Sequence, residues 1–135
     1  MAKNYKTNEL YASASVDPFP RIVPEHAYPK TIGAAVGAPE LAVGTPMGFD
    51  SAAEEWIVWS ASGSSGSDAI KGFIYQRAVQ TDATQQVQGI IMVAGEIHAE
   101  DVVLPSGESQ ANLDAALKSG PRALGLFITG LVDVR

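Results

Sequence analysis

Six of the eight prolines in this 135-residue chain stand before residue 47: Pro18, Pro20, Pro24, Pro29, Pro39 and Pro46. Each fixes its own φ and drives the preceding residue toward extended backbone, so no helix crosses this stretch. Its apolar residues, among them Phe19, Ile22, Val23, Tyr28 and Ile32, are scattered singly with no sustained period. Gly33, Gly37, Gly44 and Gly48 add turns. The pattern predicts an extended Pro/Gly-rich arm over residues 1–50 and a compact domain over residues 51–135. Charges up to Asp50 nearly cancel, four basic against five acidic, so the arm is not a self-repelling linker. A strip of this kind suits docking as an added strand, gaining main-chain hydrogen bonds while Phe19, Ile22, Val23, Tyr28 and Ile32 are covered. The pattern leaves open whether the covering surface belongs to another protein or to the chain's own domain.

Beyond residue 52 the texture changes. Trp56-Ile57-Val58-Trp59 is a short β-favouring run, stopped by the loop-like Ser60–Ser67. Ile70 to Val79 resumes β character, with Gly72 inside it marking a bulge or a close backbone approach. Thr81–Thr84 is a turn. Val87 to Ala94 is the clearest strand, its consecutive Ile90-Ile91-Met92-Val93 implying burial on both faces. Gly95 is expected to end it, with a shorter extended piece from Ile97 to Leu104. One helix is expected, with Ser109 as cap, Leu113, Ala116 and Leu117 on one face, and Gly120-Pro121 as the stop. Asp114 and Lys118 are spaced for an i, i+4 ion pair. A last β run, Leu124 to Val134, turns Leu126, Ile128 and Val132 to one side. The fold class is α+β, mainly β: a small β-rich domain with one short helix, preceded by the arm.

Composition narrows the function classes. A net charge of −6 and a pI near 4.7 argue against a direct nucleic-acid binder with a broad basic face. No run of about 18 apolar residues is available to span a membrane. Zero cysteines remove thiol catalysis, disulfides and Cys-based zinc sites. The opening residues lack the apolar stretch of a secretion signal, which leads to the expectation of a protein made and kept in the cytoplasm.

Chemistry-bearing constellations are sparse. The histidines are His26 and His98, and His98-Ala99-Glu100-Asp101 is the tightest cluster of ligand-type residues. On a strand His98 and Glu100 would share a face, but a zinc site needs a third donor, and the pattern favours a solvent-facing polar edge. The serines of Gly63–Ser67 do not open a helix as a hydrolase nucleophile does. Glu54-Glu55 and Glu100-Asp101 are adjacent pairs that point to opposite faces of extended chain, the wrong geometry for joint acid–base work. No catalytic residue, metal site or cofactor is therefore assigned. Trp56 and Trp59, three apart, fall on opposite faces of a strand, so at most one is expected in the core and the other can reach an interface. A small domain with one helix can also complete its core by oligomerising.

Several motifs in order resemble a known family. Trp56–Trp59 leads through a small-residue loop to Asp68-Ala69-Ile70-Lys71-Gly72-Phe73-Ile74. Then come Ala78-Val79-Gln80-Thr81-Asp82, a strand reaching Gly95, and Glu100-Asp101-Val102-Val103-Leu104-Pro105. With the final helix and strand, residues 54–134 resemble the head decoration protein D family, the capsid-stabilising proteins of lambda-like tailed bacteriophages. The arm matches in character only, looks longer than the minimal family pattern, and Leu104 stands where an aromatic is common. The resemblance implies a homotrimer made in the host cytoplasm, seated on the exterior of the expanded head at three-fold positions. Its partner would be the major capsid protein, to which the arm adds a strand, and no catalytic residues carry over. Two other readings compete: a trimeric tail or fibre binding module stacking its ligand on Trp56 or Trp59, and a small metal-dependent hydrolase using His98, Glu100 and Asp101.

Overall fold

The computed structural model describes residues 21–33, 40–76 and 78–130. Its spine is a 12-residue strand, β7 (Val87–His98). Against one edge lies the 11-residue β1 (Ile22–Ile32), antiparallel from Ile22↔Ile97 to Ile32↔Val87. The other edge is shared. β5 (Gly72–Ile74) pairs at Phe73↔Met92 and Ile74↔Ile91, and β8 (Leu126–Thr129) runs parallel from Gly95↔Leu126 to His98↔Thr129. β5 continues through β3 (Pro46–Asp50) to β4 (Glu55–Val58), and β4 meets β1 at Ile32↔Trp56. The pairings thus return to β1 and close a ring, reinforced where Gly33 N donates to Trp56 O at 2.9 Å.

The expectation that Gly95 ends the strand is corrected: β7 runs through it to His98. Gly95 has φ +143°, and a Cβ there would collide with Val23 O and sit 2.8 Å from Glu25 N. Glycine therefore permits a local irregularity, opposite Pro24, that lets both strands continue. The extended piece expected over Ile97–Leu104 is likewise divided. Ile97 and His98 finish β7, and Ala99–Asp101 forms one 3-10 turn. At Gly72 the expected close approach is found, since a Cβ would meet Ile91 Cγ2 at 2.7 Å and Met92 O at 2.8 Å.

Two apolar clusters lie on opposite faces of the sheet. On one, Trp59, Ile70, Phe73, Met92, Ile97 and Leu126 pack with Leu113 and Leu117 of helix α1 (Gln110–Ser119). Ser109 caps α1, its Oγ accepting from Asn112 N at 3.1 Å, and buried Pro121 follows its end. Asp114 accepts from Gln110 Nε2 at 2.9 Å rather than pairing with Lys118 as its spacing suggests. On the other face Ile32, Met47, Ile74 and Ile91 meet Leu41 and Val79. These last two come from a separate antiparallel pair, β2 (Glu40–Ala42) with β6 (Ala78–Gln80). Consecutive Ile91 and Met92 thus feed different clusters, as the expectation of a doubly buried strand requires.

The architecture is mainly β with one α-helix, in the α+β class. Residues 22–32, 40–42 and 46–50, within the stretch read as arm, are strands here and supply Ile32, Leu41 and Met47 to the core. They are extended, as proline dictates, but laid on their own domain. Proline is accommodated because β1 meets β4 only at Ile32 and elsewhere has one ladder to fill.

Gly95→Ala combines a backbone clash with a φ that L-residues avoid, and it is expected to cost about 2–4 kcal/mol. Leu117→Ala, deleting a buried side chain of α1, is expected to cost about 2–5 kcal/mol. Urea unfolding of each variant against the parent measures both.

Candidate functional site

The chemistry-bearing residues converge on the end of the sheet where β1 begins and β8 finishes. Ile22 pairs with Ile97, and Thr129 pairs with His98, so both strands reach this pole beside the last residues of β7. The tight turn Ala99–Asp101 follows directly, with His98 as its N-cap: Nδ1 accepts from Glu100 N at 3.2 Å. Donation from that N–H requires Nδ1 to be unprotonated.

Arg21, immediately before β1, is held at the pole through its backbone N–H, its carbonyl and two of its guanidinium nitrogens. Its N–H donates to Asp101 Oδ2 at 2.8 Å, its carbonyl accepts from His98 N at 2.9 Å, and its Nε donates to Asp101 Oδ2 at 2.9 Å. Nη2 donates to Glu100 Oε1 at 3.1 Å. Partial burial works to raise the Asp101 carboxyl, but the Arg21 backbone N–H and guanidinium outweigh it and leave the pKa below the ordinary carboxylate value. The Arg21 guanidinium is in turn raised, first by its hydrogen bond to Asp101 and then by that to Glu100.

Sequence reasoning brought His98, Glu100 and Asp101 together, and the structure keeps them together in a different arrangement. Glu100 lies in the turn, not on a strand face shared with His98, and both carboxylates hold Arg21. Among the described residues no group of three or more His, Asp or Glu side chains is placed to hold a metal ion. Arg21 was not singled out, because its partners lie about eighty positions away and no local pattern links them. The serine loop is also spent on structure: Ser67 Oγ donates to Ser64 O at 2.8 Å, and Ser60 Oγ donates to Glu108 at 3.1 Å.

The arm residues separate into two kinds. Ile32 is buried in the core and Ile22 packs against it, whereas Val23 is 63% exposed and Tyr28 48% exposed. Phe19 lies outside the described residues. Tyr28 stacks on His26, ring centroids 6.0 Å apart, with Lys30 Nζ 5.6 Å from its ring centre. The tryptophans do fall on opposite faces, but since both faces are covered, both contribute to packing. Trp59 is 2% exposed and donates Nε1–H to Asp68 O at 3.0 Å, so it offers no ring face to a partner. Trp56 is half-buried against the second cluster, edge-to-face with Phe49 at 5.6 Å.

Exposed apolar side chains form two groups that, Val23 apart, sequence reasoning missed. At the pole Val23, Glu96 and Phe127 stand in one row across β1, β7 and β8, since Glu96 is the direct partner of both others. Farther along, exposed Pro29 and Ile90 are cross-strand partners, and Tyr75 N donates to Ile90 O at 2.9 Å, bringing a third apolar residue alongside. Burial alternation across paired strands is the signal that finds them, and it needs the register. A cleft of about 480 Å³ also opens between β2 and the Val103–Ser106 segment, with exposed Leu104 on its wall and Glu40 and Glu108 among its lining residues.

Comparison with known proteins adds one positive result. The family model described as bacteriophage lambda head decoration protein D matches residues 23–126, from β1 into β8. No curated protein matches the chain.

The lowered pKa of Asp101 sets a pH dependence. Its contribution to stability is present above the ordinary carboxylate pKa and is lost as pH falls through the lower folded value. Asp101→Asn is therefore expected to lower the midpoint of thermal unfolding by a few degrees at neutral pH, with the gap closing in strong acid. Melting curves of both proteins across that range test it.

Proposed function

The chain belongs to the bacteriophage lambda head decoration protein D family, and we propose that it cements the outside of a phage head against the pressure of packaged DNA. The family match over residues 23–126 carries this reading. It makes the protein a structural component of the virion capsid rather than an enzyme, with the phage capsid as its binding partner. In finer detail, it is made in the host cytoplasm and acts as a homotrimer. It sits at three-fold positions of the expanded shell, its arm adding a strand to the major capsid protein.

The arrangement of the pole supports the arm mechanism. Residues 1–20 precede Arg21. They set out from the pole at which β8 also finishes, next to the exposed Val23–Glu96–Phe127 row. We therefore place the arm in residues 1–20 with Phe19 in it, and assign Val23 and Tyr28 to the surface beside it. That pole faces the shell. Three arms on one trimer act at high effective concentration, so each need bind only modestly. The cost of ordering an arm is offset by strand hydrogen bonds and by burial of its apolar side chains.

Mixed with undecorated expanded heads, the purified protein is expected to bind saturably and to raise the temperature at which the heads rupture. A chain starting at Arg21 keeps β1 and is expected to fold yet bind at least tenfold more weakly, an estimate from loss of the tethered interaction. Equal binding by the shortened chain would remove the arm from the mechanism. A cut at Gly48 is unsuitable, since it deletes β1 and Met47 from the core.

A further inference from the structure

We propose that Arg21, gripped by Asp101 and Glu100, is a positioning residue that fixes the direction in which residues 1–20 leave the domain. The value of that direction for shell binding rests on the proposed decoration role; the grip itself does not.

The argument starts from what a residue at the start of a strand ordinarily does. A chain entering a sheet is held only by its first rung, and a terminal rung frays. Here the rung is His98 N to Arg21 O at 2.9 Å, and by itself it would leave residue 21 free to swing about one bond. The Arg21 N–H is instead fixed to Asp101 Oδ2 on the outgoing side, so both backbone polar groups of one residue are held by neighbours on β7 and the turn after it. Two backbone anchors on one residue constrain its orientation, and orientation there sets the initial path of everything N-terminal to it.

The side chain adds a second constraint. The Arg21 guanidinium spans two carboxylates, Nε to Asp101 and Nη2 to Glu100. A planar fork with donors on different edges defines a direction as well as a distance, which a lysine ammonium cannot do. Arg21 and Glu100 are exposed, so their pair contributes little to global stability, whereas the Asp101 side chain is 22% exposed and its contacts contribute more. The place of the contacts marks the arrangement as directional: four polar contacts converge on one residue where the chain enters its first strand, outside both apolar clusters. The turn that presents the carboxylates is itself set, because His98 caps it and Val103 N donates to Gly44 O at 3.0 Å just beyond.

A grip of this kind raises affinity by enlarging the fraction of arms already aimed at their target. Apparent affinity scales with the competent fraction, so releasing an arm until about one orientation in ten is productive weakens binding about tenfold. No contact with the partner needs to change.

The absence of native cysteines allows a direct test. Ser15→Cys and Lys118→Cys, introduced together, place one spin label on the arm and one on α1, and pulsed electron resonance gives their distance distribution without any capsid present. The distribution is expected to broaden about twofold on Arg21→Ala, and also on Arg21→Lys, which keeps the charge and loses the fork. About 1 M salt should broaden it in the parent chain through screening. An unchanged distribution in Arg21→Lys and in high salt overturns the proposal, and neither measurement depends on the alanine variant folding. Binding to undecorated heads then separates the two claims. Failure of the parent chain to bind would overturn the decoration role while leaving the distance result standing. If the parent binds and a folded Arg21→Ala with a broadened distribution binds equally well, the grip does not serve binding.

Discussion

The pairing of β1 with β7 is the constraint on which everything else rests. It joins residues between 75 and 55 positions apart along a ladder that runs from Ile22↔Ile97 to Ile32↔Val87. Without it the ring of strands opens, because β4 meets β1 only at Ile32 and the remaining pairings form a row with two ends. Ile32 also belongs to the second core cluster, so losing β1 uncovers Ile74 and Ile91 as well as breaking the ladder. The long loop closure this pairing demands is unfavourable on its own and is offset by burial on both faces of β7.

The same strand shows how proline serves two purposes. Among the described residues β1 has a neighbour on one side along most of its length, which leaves an edge open to unwanted pairing. Pro24 and Pro29 remove donors from the strand, and Lys30 places a charge on it, features that guard edges against sheet-to-sheet association. The side of β8 with no partner among the described residues is guarded differently, by being four residues long.

Much of this was legible in the sequence, and the failures share one cause. Helix α1, with its Ser109 cap and Leu113–Leu117 face, follows from local rules because its determinants lie within twelve residues. The Val87–Ala94 run was visible because double burial demands consecutive apolar residues. Gly95 was misread since the local rule, that glycine ends strands, was overridden by the approach of β1, which only glycine admits. The first fifty residues were read as an extended arm, with the surface that covers it left open. Proline reports backbone geometry, and nothing local reports what lies across the ladder. At the pole, His98, Glu100 and Asp101 attracted notice as adjacent residues, whereas Arg21 gives them their role and stands eighty positions away. Exposure was the hardest to infer: Val23 and Ile32 look alike in sequence, and register alone puts one in water and the other in the core.

The direction of the first strand also bears on how a tether would hold under load. Ladder hydrogen bonds lie perpendicular to the strands. A pull on residue 21 along the axis of β1 therefore loads the whole ladder with β7 in shear, and many rungs must fail together. A pull across that axis opens one rung at a time, beginning at Arg21 and Ile22. The contacts of Arg21 with Asp101, Glu100 and His98 close the rung at which such peeling would start. A few polar contacts outside the apolar core can thus have a large mechanical effect when they stand at the end of a long ladder. The residue before the first strand is thus the point at which a pull on the preceding chain is either held or lost.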